Sequence, residues 1–251
     1  MEIILDPTEG GLCHSTNLFK RKTMVTTYTT ETAKTYQQTA EISIPEMDTV
    51  LAVARRMFGD LEEKLVLDFG CGTGRSSRLL HQWRAYRVLG VERNKQMLAI
   101  AESLPSPGIE YYHTSDARLG EYSEHCTAAF TCCVLMEVPT REGLVEIHNT
   151  IARLLLPGST YVAVTSNAVA LPYESDYISV HQAPGFTGRG GDPILAQIKG
   201  EHEFEFIDHY WTKQDYQDIL ESAGFSVEKM TAPVNSSGME VPYLAIKAVR
   251  L

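Results

Sequence analysis

Three glycines and two carboxylates define the chemistry open to this chain. In "VLDFGCGTGRSSRLL", Val66 to Leu80, an apolar run carries Asp68 near its end and passes into Gly70, Gly72 and Gly74 before a helical pattern begins. Glycines at that spacing let backbone amides approach a ligand closely, since no Cβ stands in the way. The acid before the loop selects among ligands: at close range it repels a pyrophosphate and attracts a molecule carrying an ammonium and a sulfonium. The loop departs from the GxGxxG of dinucleotide sites, and no Gly-Lys-Ser or Gly-Lys-Thr follows as a nucleoside triphosphate loop requires. A second apolar run ends in Glu92, 22 residues past Gly70, where a carboxylate accepts from both hydroxyls of a ribose. A third leads into "TSDARL", where Asp116 is placed to accept from an adenine amine and the Ala117 amide to donate to a ring nitrogen. The pattern describes an adenosine without phosphates.

These residues act together only if one sheet brings its strand ends to one edge. The runs "KLVLDF", "YRVLGVE", "GIEYYH", "TAAFTCCVL" and "STYVAVTSN" read as strands covered on both faces. Between them "GRSSRLLHQW", "NKQMLAIAESL" and "TREGLVEIHNTIARLL" have helical spacing, which predicts a parallel sheet with helices on both faces. Ahead of the first strand, "SIPEMDTVLAVARRMF" predicts a helix with a capping box from Ser43 and Glu46. Downstream, "EHEFEFIDHYW" alternates like a half-exposed strand, "TKQDYQDILESAGF" is a capped helix, and "SVEKMTAP" with "VPYLAIKAV" forms a closing antiparallel pair. The reading gives residues 43–251 to one domain, with a lid insert at about 168–210. Residues 1–42, rich in Thr, Lys and Tyr without an apolar stripe, read as a tail or active-site cover.

Composition sets bounds on partners. The 251 residues suffice for one well-buried domain, and the net charge of −10 argues against a nucleic-acid backbone as partner. The reading finds no membrane-crossing run and no secretory signal, so a cytoplasmic protein with no membrane partner is expected. Five cysteines without paired CxxC spacing predict reduced thiols and no metal site. Cys132 and Cys133 read as small residues at a strand end rather than nucleophiles.

Taken together, these motifs resemble the class I S-adenosylmethionine-dependent methyltransferases of the small-molecule type. The glycine motif is similar to that family's first motif, "GVERNKQML" to its acidic-loop motif, "SDAR" to its adenine motif, and "LLLPGSTYVAV" to its LxPGG turn and fifth strand. The resemblance covers about residues 45 to 251. It implies a Rossmann-like fold, a seven-stranded mostly parallel sheet with helices on both faces, an antiparallel C-terminal strand pair and a lid insert after strand 5. S-adenosyl-L-methionine is then the donor and S-adenosyl-L-homocysteine the product. By the same resemblance Gly70, Gly72 and Gly74 contact the methionine part, Asp68 holds the loop and the amino group, Glu92 takes the ribose, and Asp116 with Ala117 takes the adenine. Cys71, Arg93 and Cys132 complete the implied cofactor set, with Tyr28 and Tyr36 closing over the sulfonium. One position departs: the family opens its fourth strand with Phe-Asp, where this chain has Cys126 and Thr127.

Methyl transfer from a sulfonium asks the protein for proximity, alignment and, where the acceptor loses a proton, a base. Glu137, just after the fourth strand, is the first expectation for that base, followed by His181, His209 and Tyr210. Aromatic residues of the insert, Tyr173, Tyr177, Phe186, Phe204 and Phe206, predict a small, partly apolar acceptor, with Arg189 available to an acidic group on it. An O- or N-methyltransferase acting on a small molecule is the leading reading. A protein methyltransferase, a non-catalytic nucleotide-binding or regulatory protein of the same fold and, more remotely, a nicotinamide-dependent reductase stay open beside it. The sequence leaves monomer and homodimer equally open.

Overall fold

The first three apolar runs become β1 (Leu65–Phe69), β2 (Arg87–Glu92) and β3 (Ile109–His113), and the next two β4 (Cys126–Cys132) and β5 (Leu155–Ser166), in a computed structural model that describes residues 28–40, 42–104, 106–200 and 203–251. Alternate residues of each strand feed opposite cores. Val66, Val88, Ala128, Phe130, Val162 and Val164 pack on one face. Leu67, Leu89, Ala129, Tyr161 and Ala163 pack on the other. Burial on both faces is why these runs are apolar without alternation.

The helices are α1 (Thr30–Ala40), α2 (Pro45–Phe58), α3 (Arg75–Gln82), α4 (Lys95–Ser103), α5 (Arg141–Leu154) and α6 (Lys213–Ser222). Helix α2 brings Met47, Val50, Leu51 and Ala54 to the first core, and α5 and α6 bring Leu144, Ile151, Ile219 and Leu220 to the second. Side chains cap three of them: Asn94 on α4, Thr140 on α5, and Thr212 with Asp215 as a reciprocal box on α6. The box expected from Ser43 and Glu46 does not form. Ile44 takes the cap position with Pro45 opening α2, Ser43 Oγ donates to Asp48, and the Glu46 carboxylate instead accepts from the Tyr173 hydroxyl at 3.0 Å.

After β5 the chain builds a second, antiparallel sheet, β6 (Tyr173–Glu174), β7 (Ile178–Gln182), β8 (Pro193–Ile198) and β9 (Phe204–His209), within the segment expected as a lid. It then returns through α6 to β10 (Phe225–Thr231) and β11 (Tyr243–Arg250). The main sheet runs β10-β11-β5-β4-β1-β2-β3, parallel from β5 to β3, with β11 antiparallel to both β5 and β10. Strand order reverses between β1 and β4, so a crevice opens beyond their carboxyl ends. Of the expected tail, residues 1–27 and 41 lie outside the described residues. The remainder contains α1, where the sequence reading expected no stripe: Ala33 and Thr39 are buried, and the helix packs on α4 and β9. Two small buried residues suffice because α1 is a cover held at its edges.

Candidate functional site

The glycine loop is clipped to the end of β2. Amides of Gly70 and Cys71 donate to the Val91 carbonyl at 2.7 and 3.2 Å, and the Gly72 amide donates to Glu92 Oε2 at 2.9 Å. All three loop glycines have positive φ, and a Cβ on Gly70 would lie 2.4 Å from Val134 Cγ2. Only glycine lets the chain leaving β4 cross so near the loop. Beneath the loop Asp68 Oδ2 accepts from the hydroxyls of Ser76 and Ser77 at 2.7 and 2.5 Å, tying β1 to the first turn of α3. Burial pushes its carboxyl up to about 6 against those two hydrogen bonds, and Glu92 adds to the rise.

Beyond the loop lies a cleft of about 1000 Å³, in the range of sites that enclose nucleoside-sized ligands, walled by Glu92, Arg93, Asn94, Met97 and Asp116. Glu92 Oε1 also accepts the Asn94 amide at 2.7 Å, so backbone donors on both sides fix its carboxylate. Each oxygen keeps a lone pair for a further donor. Asp116 caps a 3₁₀ turn (Ala117–Tyr122) and is gripped by Arg118, whose Nε and Nη2 donate at 3.1 and 2.7 Å.

A second, smaller compartment of about 110 Å³ opens on the other side of the loop, between α2 and the β6–β9 sheet. Even-numbered residues of β7, β8 and β9 line it: Ile178, Val180, Ala196, Ile198, Phe206 and Asp208. Both compartments share Tyr28, Tyr36, Gly70, Gly72, Cys132, Cys133 and Glu137, which therefore form the wall between them. Glu137 reaches that wall because Cys133 turns out of β4 at φ +59° and the 3₁₀ turn Leu135–Glu137 follows. Its Oε1 accepts from the Tyr28 hydroxyl at 3.2 Å. Burial pushes the Glu137 carboxyl up to about 7; Tyr28 and the positive charge of Arg93 hold it down, and Glu92 pushes it further up.

The cover is pinned at two places. Asn94 Nδ2 donates to the Tyr28 carbonyl at 3.1 Å. Tyr28, Tyr36 and Phe204 form a three-ring cluster with centroids 5.5 to 6.5 Å apart. Burial, with Glu137 nearby, drives the Tyr28 hydroxyl far above its ordinary range, so it acts as a hydrogen-bond donor.

The geometry thus brings together Tyr28, Tyr36, Gly70, Cys71, Gly72, Glu92, Arg93, Asp116, Cys132 and Glu137 around the two compartments. Three other expectations are placed elsewhere. Asp68 and Gly74 lie under the loop, Gly74 with the Tyr111 hydroxyl where a Cβ would stand, and Ala117 is outside the lining. Of the other base candidates, His181 pairs with Glu174 at 2.9 Å on the outward face of the second sheet. His209 Nδ1 bonds to the Met136 carbonyl at 3.3 Å, and Tyr210 packs edge-on against Phe186. None of these three lines either compartment. The sequence reading missed Asn94, Tyr243 and Asp208, and named Cys133 only as a small residue at a strand end. A signal existed for Asp208: the period of two in "FEFID" puts it on the face of Phe204 and Phe206. Among the described residues no group of three His, Cys, Asp or Glu side chains is arranged to hold a metal, and no helix is long and apolar enough to cross a membrane.

Comparison with known proteins places the same features in context. Residues 66–158 match a family described as a methyltransferase domain. The chain is 29% identical over 176 residues to N-demethylindolmycin N-methyltransferase of Streptomyces griseus, covering 67% of this chain and 73% of that enzyme. It is 27% identical over 173 residues to O-methyltransferase cnsE of Penicillium expansum, covering 66% of this chain and 53% of that protein. Among solved structures, the CcbJ methyltransferase from Streptomyces caelestis shares the fold with a TM-score of 0.61 at 16% identity, over 87% of this chain and 96% of that one. An S-adenosylmethionine-dependent methyltransferase from Mesorhizobium loti does so with 0.55 at 20% identity, over 79% and 96%.

Proposed function

We propose that the chain is a class I S-adenosylmethionine-dependent methyltransferase, in keeping with its match to a methyltransferase domain and its methyltransferase relatives, and that it methylates a nitrogen or oxygen of a small molecule held between its main sheet and the β6–β9 sheet. The observation that carries this reading is the shared wall: a nucleoside-sized cleft and a small apolar compartment meet at Tyr28, Tyr36 and Glu137. Both relatives with printed activities are named as an N- and an O-methyltransferase, in keeping with such an acceptor.

The residues present suit the donor. Gly70 and Gly72 offer backbone that no Cβ shields, Glu92 keeps lone pairs for the ribose hydroxyls, and Arg93, Asn94, Met97 and Asp116 wall the space where the base belongs. Asp68 acts one layer down by holding Ser76 and Ser77, and so the loop. When bound, S-adenosylmethionine supplies a methyl carbon whose bond to sulfur breaks as the acceptor's lone pair attacks, leaving S-adenosylhomocysteine.

The chain's own residues do the rest. Glu137 takes the proton the acceptor loses. A carboxyl near 7 is matched to that task, since about half of it is ionised at neutral pH and it is basic enough to hold the proton. Tyr28 orients the Glu137 carboxylate and, with Tyr36 and Phe204, keeps water from the wall. The apolar residues of β7 and β8 position the acceptor by shape. Incubation with methyl-labelled S-adenosylmethionine and a small-metabolite extract, followed by mass spectrometry, tests the reading. Label in a small molecule supports it, and label found only in protein, or nowhere, rejects it.

A further inference from the structure

The face that β7, β8 and β9 turn toward the acceptor compartment is apolar except at one position. Ile178, Val180, Ala196, Ile198 and Phe206 are hydrocarbon, and Asp208 stands among them 3% exposed. Its Oδ1 has no hydrogen-bond partner, although neighbouring β8 meets it in register at Ile194. Among the described residues Glu137 is the charged side chain that acts on it; Arg75, which lines the same compartment, sits at the start of α3 beside the glycine loop. Without a partner, Asp208 costs the fold stability whether ionised or protonated. Buried polar groups are satisfied in nearly every protein, and one left open toward a cavity calls for a partner that a ligand entering the cavity can supply.

Resting on the methyltransferase reading above, we propose that Asp208 docks a basic nitrogen of the acceptor, so that the compartment takes a small, largely apolar amine. Two carboxyls, one on β9 and one on the shared wall, face that space, and an ammonium or N–H group satisfies what neither the sheet nor the cover provides. The surrounding isoleucines, valine and phenylalanine fit a hydrocarbon or ring body attached to it. An acidic acceptor meets repulsion here, and an alcohol forgoes the charge-assisted bond.

The test is calorimetry on the whole chain. Binding of S-adenosylhomocysteine is measured first, because its failure removes the family reading of the site and not this assignment. The loaded protein is then titrated with benzylamine, phenethylamine and tryptamine, and with benzyl alcohol, 2-phenylethanol and tryptophol. At least one amine should bind about tenfold or more tightly than its alcohol, the scale of a hydrogen bond to a charged group. In D208N that preference should fall to within about threefold, and D208L serves the same comparison should the amide not be tolerated. D208L should also melt no lower than the wild type, since Leu removes an unpartnered polar group. Equal binding of amines and alcohols, no binding by any amine, or a preference that survives in both variants overturns the proposal.

Discussion

The two compartments on either side of the glycine loop are built by different means. The larger cleft is lined from Tyr28 to Leu154, but the edge that carries its glycines is backbone within one βαβ unit: Gly70, Gly72, Glu92 and Asn94 lie within 25 positions, and amide hydrogen bonds at 2.7 to 3.2 Å tie the loop to the end of β2. The smaller one is made of side chains from α1, α2, the turn after β4 and the second sheet, more than 170 positions apart at the extremes. Backbone geometry tolerates little change, whereas a wall of Ile, Val, Ala and Phe can be recut for another acceptor at modest cost. On the function proposed here, the first construction suits a donor common to many enzymes and the second an acceptor particular to one.

Four measurements would sharpen or break that contrast. The largest effect is expected on the shared wall. E137Q should lower kcat by about 10²–10⁴-fold, the range for loss of a general base. The wild-type rate should fall about tenfold per pH unit below 7, the value to which burial raises this carboxyl, and E137Q should lose that limb. A full rate for E137Q at every pH would remove Glu137 from the mechanism.

The same substitution should stabilise the chain with a pH signature. A folded carboxyl raised from the ordinary 4.5 to about 7 binds its proton more tightly than the unfolded one. Its contribution is therefore fully present below 4.5 and lost as pH rises through 7. By denaturant unfolding, E137Q should match the wild type near pH 4.5 and exceed it by up to about 3 kcal/mol at pH 8. A gap independent of pH would mean the folded carboxyl is not raised.

On the backbone-built side, Glu92→Ala removes one acceptor for two amides and for the ribose. S-adenosylhomocysteine should bind more weakly by about 1.5–3 kcal/mol, or roughly 10- to 150-fold, in calorimetry. Unchanged affinity in a folded variant would place the ribose elsewhere. The smallest effect belongs to the contact between cover and wall. Tyr28→Phe deletes the hydrogen bond that holds the Glu137 carboxyl down, so the acid limb of the pH–rate profile should move upward by less than about one unit. Tyr36→Phe, which makes no such bond, should leave the limb in place.

The donor side was legible because its residues act at short range. Asp68, the glycines and Glu92 sit at strand ends that hydrophobic patterning locates, and strand ends of a parallel sheet are where ligands bind. Even there the sequence did not show that Asp68 lies beneath the loop rather than in the wall of the cleft, since a residue's depth under a loop depends on which hydroxyls, here Ser76 and Ser77, turn toward it. On the acceptor side, Glu137 was named first for its position after β4, with His181, His209 and Tyr210 behind it. The parity of β7 and β9 turns the two histidines away from the compartment, and Tyr210, just past β9, packs on Phe186. Asp208 was visible as a break in an alternating pattern and was passed over, because alternation says that a face is shared and not which way it looks.

By itself the sequence determined the order of strands and helices along the parallel part of the sheet and the place of the glycine loop between them, both consequences of periodicity and turn residues within a few dozen positions; the count of seven strands came with the family resemblance of its motifs. Only the tertiary structure decided that α1 covers the site, that the inserted strands form a second sheet over it, and that Glu137 and Asp208 face one space. Those facts depend on packing between segments far apart in the chain, and a linear pattern carries no record of which surfaces will meet.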